Sequence, residues 1–184
     1  ALKDVCAKVI RVVYESNESS EAAEVIRNAG QGAYEGIILL KDEMFGAFYD
    51  LNEMLEKMDG KFDVWGLDYD MERSCKEKKP VLYDCFLVIG KRLLESSDFW
   101  EHLTDTDWQA YILSDGEMER GSVISDEPDI KPGIKNEHQI SLWRHMPYEA
   151  IVRRKLPFLM IQSFYIDKML EYSLQHELRR TLDH

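Results

Sequence analysis

Residues 33–58 read AYEGIILLKDEMFGAFYDLNEMLEKM, and this stretch decides the fold that the sequence predicts. Its apolar side chains recur three and four residues apart, a spacing that places residues on one face of a helix. The members of this apolar face are Tyr34, Ile37, Ile38, Met44, Phe45, Phe48, Leu51, Met54, Leu55 and Met58. Gly36 and Gly46 lie inside the stretch, and each costs up to about 1 kcal/mol relative to Ala in a helix. The pattern predicts one long helix that ends at Asp59 and Gly60.

Helical spacing continues on both sides of this stretch. Apolar stripes run through residues 2–15 and 21–28 before it, and through residues 82–93 and 157–180 after it. Residues 71–78 favour a short polar helix. The number of periodic segments predicts an all-α fold, a single-domain irregular bundle of about seven or eight helices.

Two segments depart from the helical pattern. Residues 115–135 are acidic and rich in Gly and Pro, so we expect a long loop there. Residues 61–70 combine aromatic and β-branched side chains, which suit a short extended segment. The alternative to a purely helical fold is therefore one minor strand pair between residues 61–70 and 120–125. Because no change of composition marks a boundary, residues 1–184 are expected to form a single helical domain.

The chain is strongly acidic, and its charge is unevenly distributed. With 35 Asp and Glu against 23 Lys and Arg, the formal net charge is −12. Such a surface would repel a phosphate backbone over most of its area, so the composition argues against direct binding of nucleic acid. Residues 61–130 carry 17 acidic and 8 basic residues, whereas residues 131–184 carry 6 acidic and 9 basic residues. This uneven distribution of charge favours a basic protein as the partner, because opposite charges steer association.

Large aromatic residues lie among the acidic residues of the central segment. One cluster spans residues 63–70 and another spans residues 98–108, where Asp98 and Glu101 also have the spacing of a capping box. Aromatic side chains supply buried area at an interface, and carboxylates supply specificity toward a basic partner. The residues predicted to bind the partner are Trp65, Asp68, Asp70, Trp100, Asp105, Asp107, Glu117 and Glu119.

A row of carboxylates in the predicted long helix suggests an alternative function. Asp50, Glu53 and Glu56 follow one another three residues apart. A hard cation such as Mg²⁺ requires several oxygen ligands, and helical nucleotide pyrophosphatases supply them from paired carboxylates. The alternative hypothesis is therefore a Mg²⁺-dependent all-α hydrolase of a nucleotide or phosphate ester. Outside this alternative, no cofactor is expected.

The sequence lacks recognisable catalytic and targeting motifs. Its five histidines form no HExxH pattern, and its three cysteines lack the spacing of a zinc site. Unpaired cysteines are typical of a cytoplasmic protein. No apolar run approaches the roughly 18–20 residues that span a bilayer, and the first residues do not match a signal peptide. We therefore expect a cytoplasmic location and no membrane contact, with a homodimer as one further assembly to test.

These observations predict an acidic, non-enzymatic binding protein of the inhibitor or immunity type. It would neutralise a basic protein partner, such as a nuclease toxin. In its general character the chain is similar to bacterial immunity proteins that neutralise toxins. That similarity is one of class, and no residue roles follow from it.

Overall fold

Helices and strands alternate along the part of the chain that the structure, a computed structural model, describes. The structure describes residues 18–29, 34–103, 105, 107–123, 151–152 and 154–161. In chain order the elements are α1 (Glu18–Ala29), β1 (Gly36–Leu40), β2 (Met44–Gly46), α2 (Leu51–Met58), β3 (Val64–Gly66), α3 (Met71–Glu77), β4 (Phe86–Gly90), α4 (Lys91–Leu94), α5 (Ser97–His102), α6 (Trp108–Ala110), a π-helical turn (Tyr111–Asp115), β5 (Arg120–Ser122) and β6 (Phe158–Met160).

A four-stranded mixed sheet with the order β1-β4-β3-β5 lies at the centre of the described residues. Strand β4 is antiparallel to β1 on one side, with Ile37 opposite Ile89, and antiparallel to β3 on the other, with Trp65 opposite Val88. Strand β3 is in turn parallel to β5, with Trp65 beside Gly121. Both edges of β4 are therefore hydrogen-bonded, which makes it an interior strand.

Strand β4 is buried on both faces as well. Successive side chains of a strand point to opposite faces, and here they enter two separate hydrophobic cores. Leu87 and Ile89 lie in the first core, which α1, α4, α5, α6 and the π-helical turn cover. Phe86 and Val88 lie in the second core, which α2 and β6 cover. The sheet thus separates two cores, and the helices α5 and α6 lie on the side of the first.

A two-stranded antiparallel sheet, formed by β2 and β6, adds to the second core, with Phe45 opposite Leu159. At Gly46 the backbone has φ +146°, a conformation that L side chains rarely adopt. A Cβ at this position would also clash with the carbonyl oxygen of Pro157. The neighbouring Phe48 N–H donates to that same oxygen at 2.8 Å. The two strands meet so closely that only glycine fits at this point.

The prediction of an all-α bundle is wrong, and the error begins in residues 33–58. These residues form β1, β2 and α2 instead of one helix. Residues 82–93, which also carried a helical stripe, contain strand β4. The physical reason is that both β1 and β4 are continuous apolar runs between two cores. In a strand buried on both faces, apolar residues do not alternate with polar ones. Its sequence therefore fits the apolar spacing of a helix as well as that of a strand.

Other predicted elements are present. Helix α1 contains the predicted residues 21–28, and α3 matches the short polar helix over 71–78. The strand pair between 61–70 and 120–125 is formed by β3 and β5, but as part of the larger sheet.

The remaining predictions meet the structure only in part. The final helix was expected from residue 157, where strand β6 stands instead, and the rest of that segment lies outside the described residues. The predicted loop over 115–135 contains β5, and its part beyond residue 123 also lies outside them, as do residues 2–15. Within the described part of the chain, no helix has the length and apolar character needed to cross a bilayer.

The central position of β4 leads to a stability prediction. Ile89→Ala should lower the free energy of unfolding by about 2–5 kcal/mol, because this side chain is fully buried and its removal leaves a cavity. Its partner across the strands, Ile37, is only partly buried, so Ile37→Ala is the matched control and should cost less. Urea unfolding followed by circular dichroism measures both values. Equal losses in the two variants would contradict the interior position of β4.

Candidate functional site

An open cavity of about 520 Å³ lies beside the π-helical turn. Its walls come from α5, from the connection between α5 and α6, and from the turn with the residues that follow it. The lining residues are Asp98, His102, Asp105, Asp107, Tyr111, Gly116 and Glu117. Four of these seven residues carry carboxylates, and neither Lys nor Arg is among the described residues that line the cavity. We call this opening the acidic cavity.

Helix α5 supplies one wall because its two faces differ. Phe99 is buried in the first core and fixes the inner face of the helix. Asp98 and His102 lie four residues apart and therefore share the outer face. The ring Nδ1 of His102 lies 3.0 Å from the main-chain oxygen of Asp98 and 3.5 Å from its carboxylate Oδ1. Both side chains thus meet at the rim of the acidic cavity.

Tyr111 joins this wall to the π-helical turn. Its ring stacks on the ring of His102, with the centroids 4.1 Å apart and the planes at 12°. Its hydroxyl donates a hydrogen bond of 2.5 Å to Asp98 Oδ2. Burial, and then the hydrogen bond to Asp98, raise the pKa of the Tyr111 phenol to about 12. The phenol therefore stays protonated at neutral pH and acts in the acidic cavity as a hydrogen-bond donor.

The opposite wall is held by Arg120, the first residue of β5. Its guanidinium donates to the main-chain oxygens of Tyr111, at 2.6 Å, and Ile112, at 2.9 Å. It also donates to the oxygens of Gly116, at 2.9 Å, and Met118, at 3.4 Å. The carbonyls of Tyr111 and Gly116 also accept from the main-chain N–H groups of Gly116 and Met118, at 2.9 and 3.0 Å, so the guanidinium adds a second donor to each of them.

A second charged group lies next to this wall, on the surface. Arg92 donates to Asp63 Oδ1 at 2.5 Å and to Glu119 Oε2 at 2.6 Å. The main chain of Glu119 also donates to Asp63 Oδ2 at 2.9 Å. The hydrogen bonds to Asp63 and Glu119 raise the pKa of Arg92 above its usual range, and the bond to Asp63 has the largest effect. The three side chains connect the residue before β3 to the residue before β5.

Three of the eight residues predicted to bind a partner come together at the acidic cavity, namely Asp105, Asp107 and Glu117. All three are exposed. Glu119 is exposed too, but its carboxylate is hydrogen-bonded to Arg92.

The other four predicted residues lie elsewhere. Trp65 is only 3% exposed and packs beside Phe86 in the second core, a placement that gives it a packing role. Asp68 is also buried, and its carboxylate accepts from the main chain of Tyr69. Asp70 caps α3 by accepting from Arg73 N at 3.0 Å.

Trp100 is partly buried, and its indole N–H donates to Leu94 O at 2.6 Å. A single sequence does not distinguish a buried tryptophan from an exposed one, because both suit an amphipathic segment.

Sequence reasoning missed Asp98, His102, Tyr111 and Arg120. The capping-box spacing favoured an N-cap role for Asp98, but Ser96 holds that position in α5. The signal that could have identified the wall is the four-residue separation of Asp98 and His102 on one helix. No comparable signal exists for Arg120, because its contacts depend on the pairing of β5 with β3.

The carboxylates of the alternative metal hypothesis lie on α2, on the other side of the sheet. Asp50 is the N-cap of this helix and accepts from Asn52 N at 2.9 Å. Glu53 and Glu56 are exposed. Among the residues that the structure describes, no three His, Cys, Asp or Glu side chains form a group that could hold a metal ion. The hydrolase hypothesis therefore gains no geometric support there and stays a prediction.

Comparisons of the chain with protein-family models, with curated proteins and with solved structures gave no match. The geometry and charge of the acidic cavity are therefore the observations that bear on function.

The raised pKa of Tyr111 leads to a second prediction. Asp98→Asn should lower this pKa toward 10, because the charge that favours the neutral phenol is removed while burial still acts on it. Since the pKa is raised in the folded protein, the stabilisation is complete below pH 10 and is lost as the pH rises through about 12.

NMR titration of tyrosine labelled with ¹³C at Cζ measures the pKa directly, and Tyr111→Phe assigns the signal. Asp59→Asn, on the far side of the sheet, is the matched control and should leave the titration unchanged. A titration in Asp98→Asn that equals the wild-type curve would show that the hydrogen bond does not act on the phenol.

Proposed function

We propose that this protein is an acidic binding protein that holds a basic group of a protein partner in the acidic cavity. By occupying that group it would inhibit the partner, in the manner of an inhibitor or immunity protein acting on a basic nuclease toxin. The observation that supports this proposal most is the meeting of four carboxylates around one open cavity, without Lys or Arg in its described lining.

The chemistry of the lining suits a cation. Carboxylates form charge-assisted hydrogen bonds with Lys or Arg, and these are about twice as strong as neutral ones. The hydroxyl of Tyr111 holds the carboxylate of Asp98 by a hydrogen bond of 2.5 Å, so Asp98 keeps a fixed position in the lining. The volume of about 520 Å³ lies within the range of about 300–1,000 Å³ that is typical of ligand sites. Because the rim is open, a side chain that projects from a protein surface can enter.

The charge of the whole chain supports the same kind of partner. A net charge of −12 attracts a basic protein at long range and raises the rate of association. The same charge disfavours nucleic acid as a direct ligand. Exposed charges are screened by salt, so binding should weaken as the ionic strength rises.

A non-enzymatic role is part of the proposal. A cytoplasmic location is part of the proposal. It accords with Cys85, whose thiol is buried and unpaired and whose pKa is raised to about 12, chiefly by burial.

The test is binding and inhibition with a panel of purified ribonucleases and deoxyribonucleases that have pI values above about 9. Asp105→Asn/Glu117→Gln removes two charges from the acidic cavity and should weaken binding at least about tenfold, which corresponds to about 1.4 kcal/mol. Isothermal titration calorimetry at low salt measures affinity, and nuclease assays measure inhibition.

The matched control is Glu56→Gln/Asp59→Asn. It makes the same change of net charge at exposed positions of α2 and the residue that follows it, across the sheet from the acidic cavity. This control should keep most of the affinity. Equal weakening in both double variants would mean that only the overall charge matters. Absence of binding to every basic nuclease at low salt would reject the proposal.

A further inference from the structure

The side chain of Arg120 connects the two ends of the wall that carries Tyr111 and Glu117. Its Nη2 and Nε donate to the carbonyls of Tyr111 and Ile112, at the beginning of the π-helical turn. Its Nη1 donates to the carbonyls of Gly116 and Met118, at 2.9 and 3.4 Å. One planar group therefore holds four main-chain oxygens that belong to both ends of the same segment.

The position of Glu117 depends directly on these bonds. Glu117 lies between Gly116 and Met118, and the carbonyls of both neighbours accept from the same guanidinium nitrogen. The main chain on either side of this exposed carboxylate is thus fixed from inside the protein. Tyr111 is held in the same way through its own carbonyl, while its ring and hydroxyl contact His102 and Asp98.

Arg120 is itself fixed by the sheet. It stands opposite Val64 in the parallel pairing of β5 with β3. Its carbonyl accepts from the hydroxyl of Tyr69 at 3.2 Å, and Tyr69 is only 2% exposed. The sheet and Tyr69 fix the main chain of Arg120, and its guanidinium in turn fixes the main chain at the rim of the acidic cavity. The rim is therefore held in place relative to the first core.

We propose that Arg120 is a positioning residue of the acidic cavity, which presets Tyr111 and Glu117 for a bound cation. This inference rests on the function proposed above. Binding sites that are rigid before the partner arrives lose less conformational entropy on binding, so presetting increases affinity. The rigid fork of arginine suits this role, because its five donors have a fixed geometry that lysine lacks.

Charge alone predicts the opposite effect, and this difference makes the inference testable. Arg120 is positive and stands beside a cavity that is proposed to bind cations. Its removal would therefore strengthen cation binding if only electrostatics mattered. If positioning dominates, Arg120→Met should weaken binding although the variant is more acidic. Arg73→Met is the matched control, because Arg73 is paired with Glu77 on the surface of α3.

The experiment uses the full chain and two measurements. Amide hydrogen exchange by NMR monitors Gly116 and Met118, whose N–H groups bond to carbonyls of Tyr111 and Gly116 within the wall. Fluorescence anisotropy measures affinity for a labelled Gly-Arg-Arg-Gly peptide at low salt. In Arg120→Met we expect exchange at these two amides at least tenfold faster, unchanged exchange in β4, and peptide affinity at least fivefold lower. Arg73→Met should leave exchange in the wall unchanged and should not lower the affinity.

The other possible results for the Arg120 variants also decide whether this side chain has a positioning role. Unchanged exchange at Gly116 and Met118, or equal or tighter peptide binding by Arg120→Met, would overturn the inference. If Arg120→Met loses protection throughout the protein, Arg120→Lys decides, since it keeps the charge but not the fork. Wild-type exchange and affinity in that variant would reject a positioning role, whereas faster exchange confined to the wall would support it.

The peptide also separates this inference from the proposed function. If Asp105→Asn/Glu117→Gln binds the peptide as tightly as the wild type does, the acidic cavity is not the cation site and the proposed function fails. If that double variant weakens binding but Arg120→Met does not, the cavity binds cations and only the positioning role is rejected.

Discussion

The burial of β4 on both faces and the pairing of both its edges form the constraint on which the rest of the structure depends. Because its alternate side chains enter different cores, the strand requires cover on each side. The first core receives that cover from helices that include α5 and α6 and from the π-helical turn, and both α5 and this turn also line the acidic cavity. The second core receives it from α2 and β6. A central apolar strand thereby determines on which side of the protein the acidic surface is built.

The sequence permits prediction of the isolated helices and the strand pair, but not of the central sheet. Helix α3 follows a capping aspartate and has a polar character, both of which are local signals. Strand β4, in contrast, is continuously apolar because neighbours from distant parts of the chain cover both faces. Of the candidate site, charge patterning identified Asp105, Asp107 and Glu117, since exposed carboxylates follow composition. It did not separate them from Trp65, whose burial depends on tertiary packing.

The acidic cavity brings its carboxylates together with a phenol and an imidazole. Asp98 accepts from a phenol that stays protonated, so its negative charge is stabilised without being cancelled. Arg120 is hydrogen-bonded to the main-chain carbonyls of the wall. The repulsion among the acidic groups is tolerated because they remain hydrated at an open rim. In the proposed function, this exposed negative charge attracts an external cation.

The contact between β3 and β5 has a consequence for the order of folding. Asp63 and Glu119, which bond across this contact, are separated by 56 residues. The entropy lost on closing a loop grows with its length, so contacts between distant residues form more slowly than helical turns. Arg120 reaches the carbonyls of the π-helical turn from β5, and it does so only after β5 has found β3. We therefore expect the wall of the acidic cavity to be among the last parts of the described structure to form, so that a newly made chain acquires its proposed binding site only when its sheet is complete.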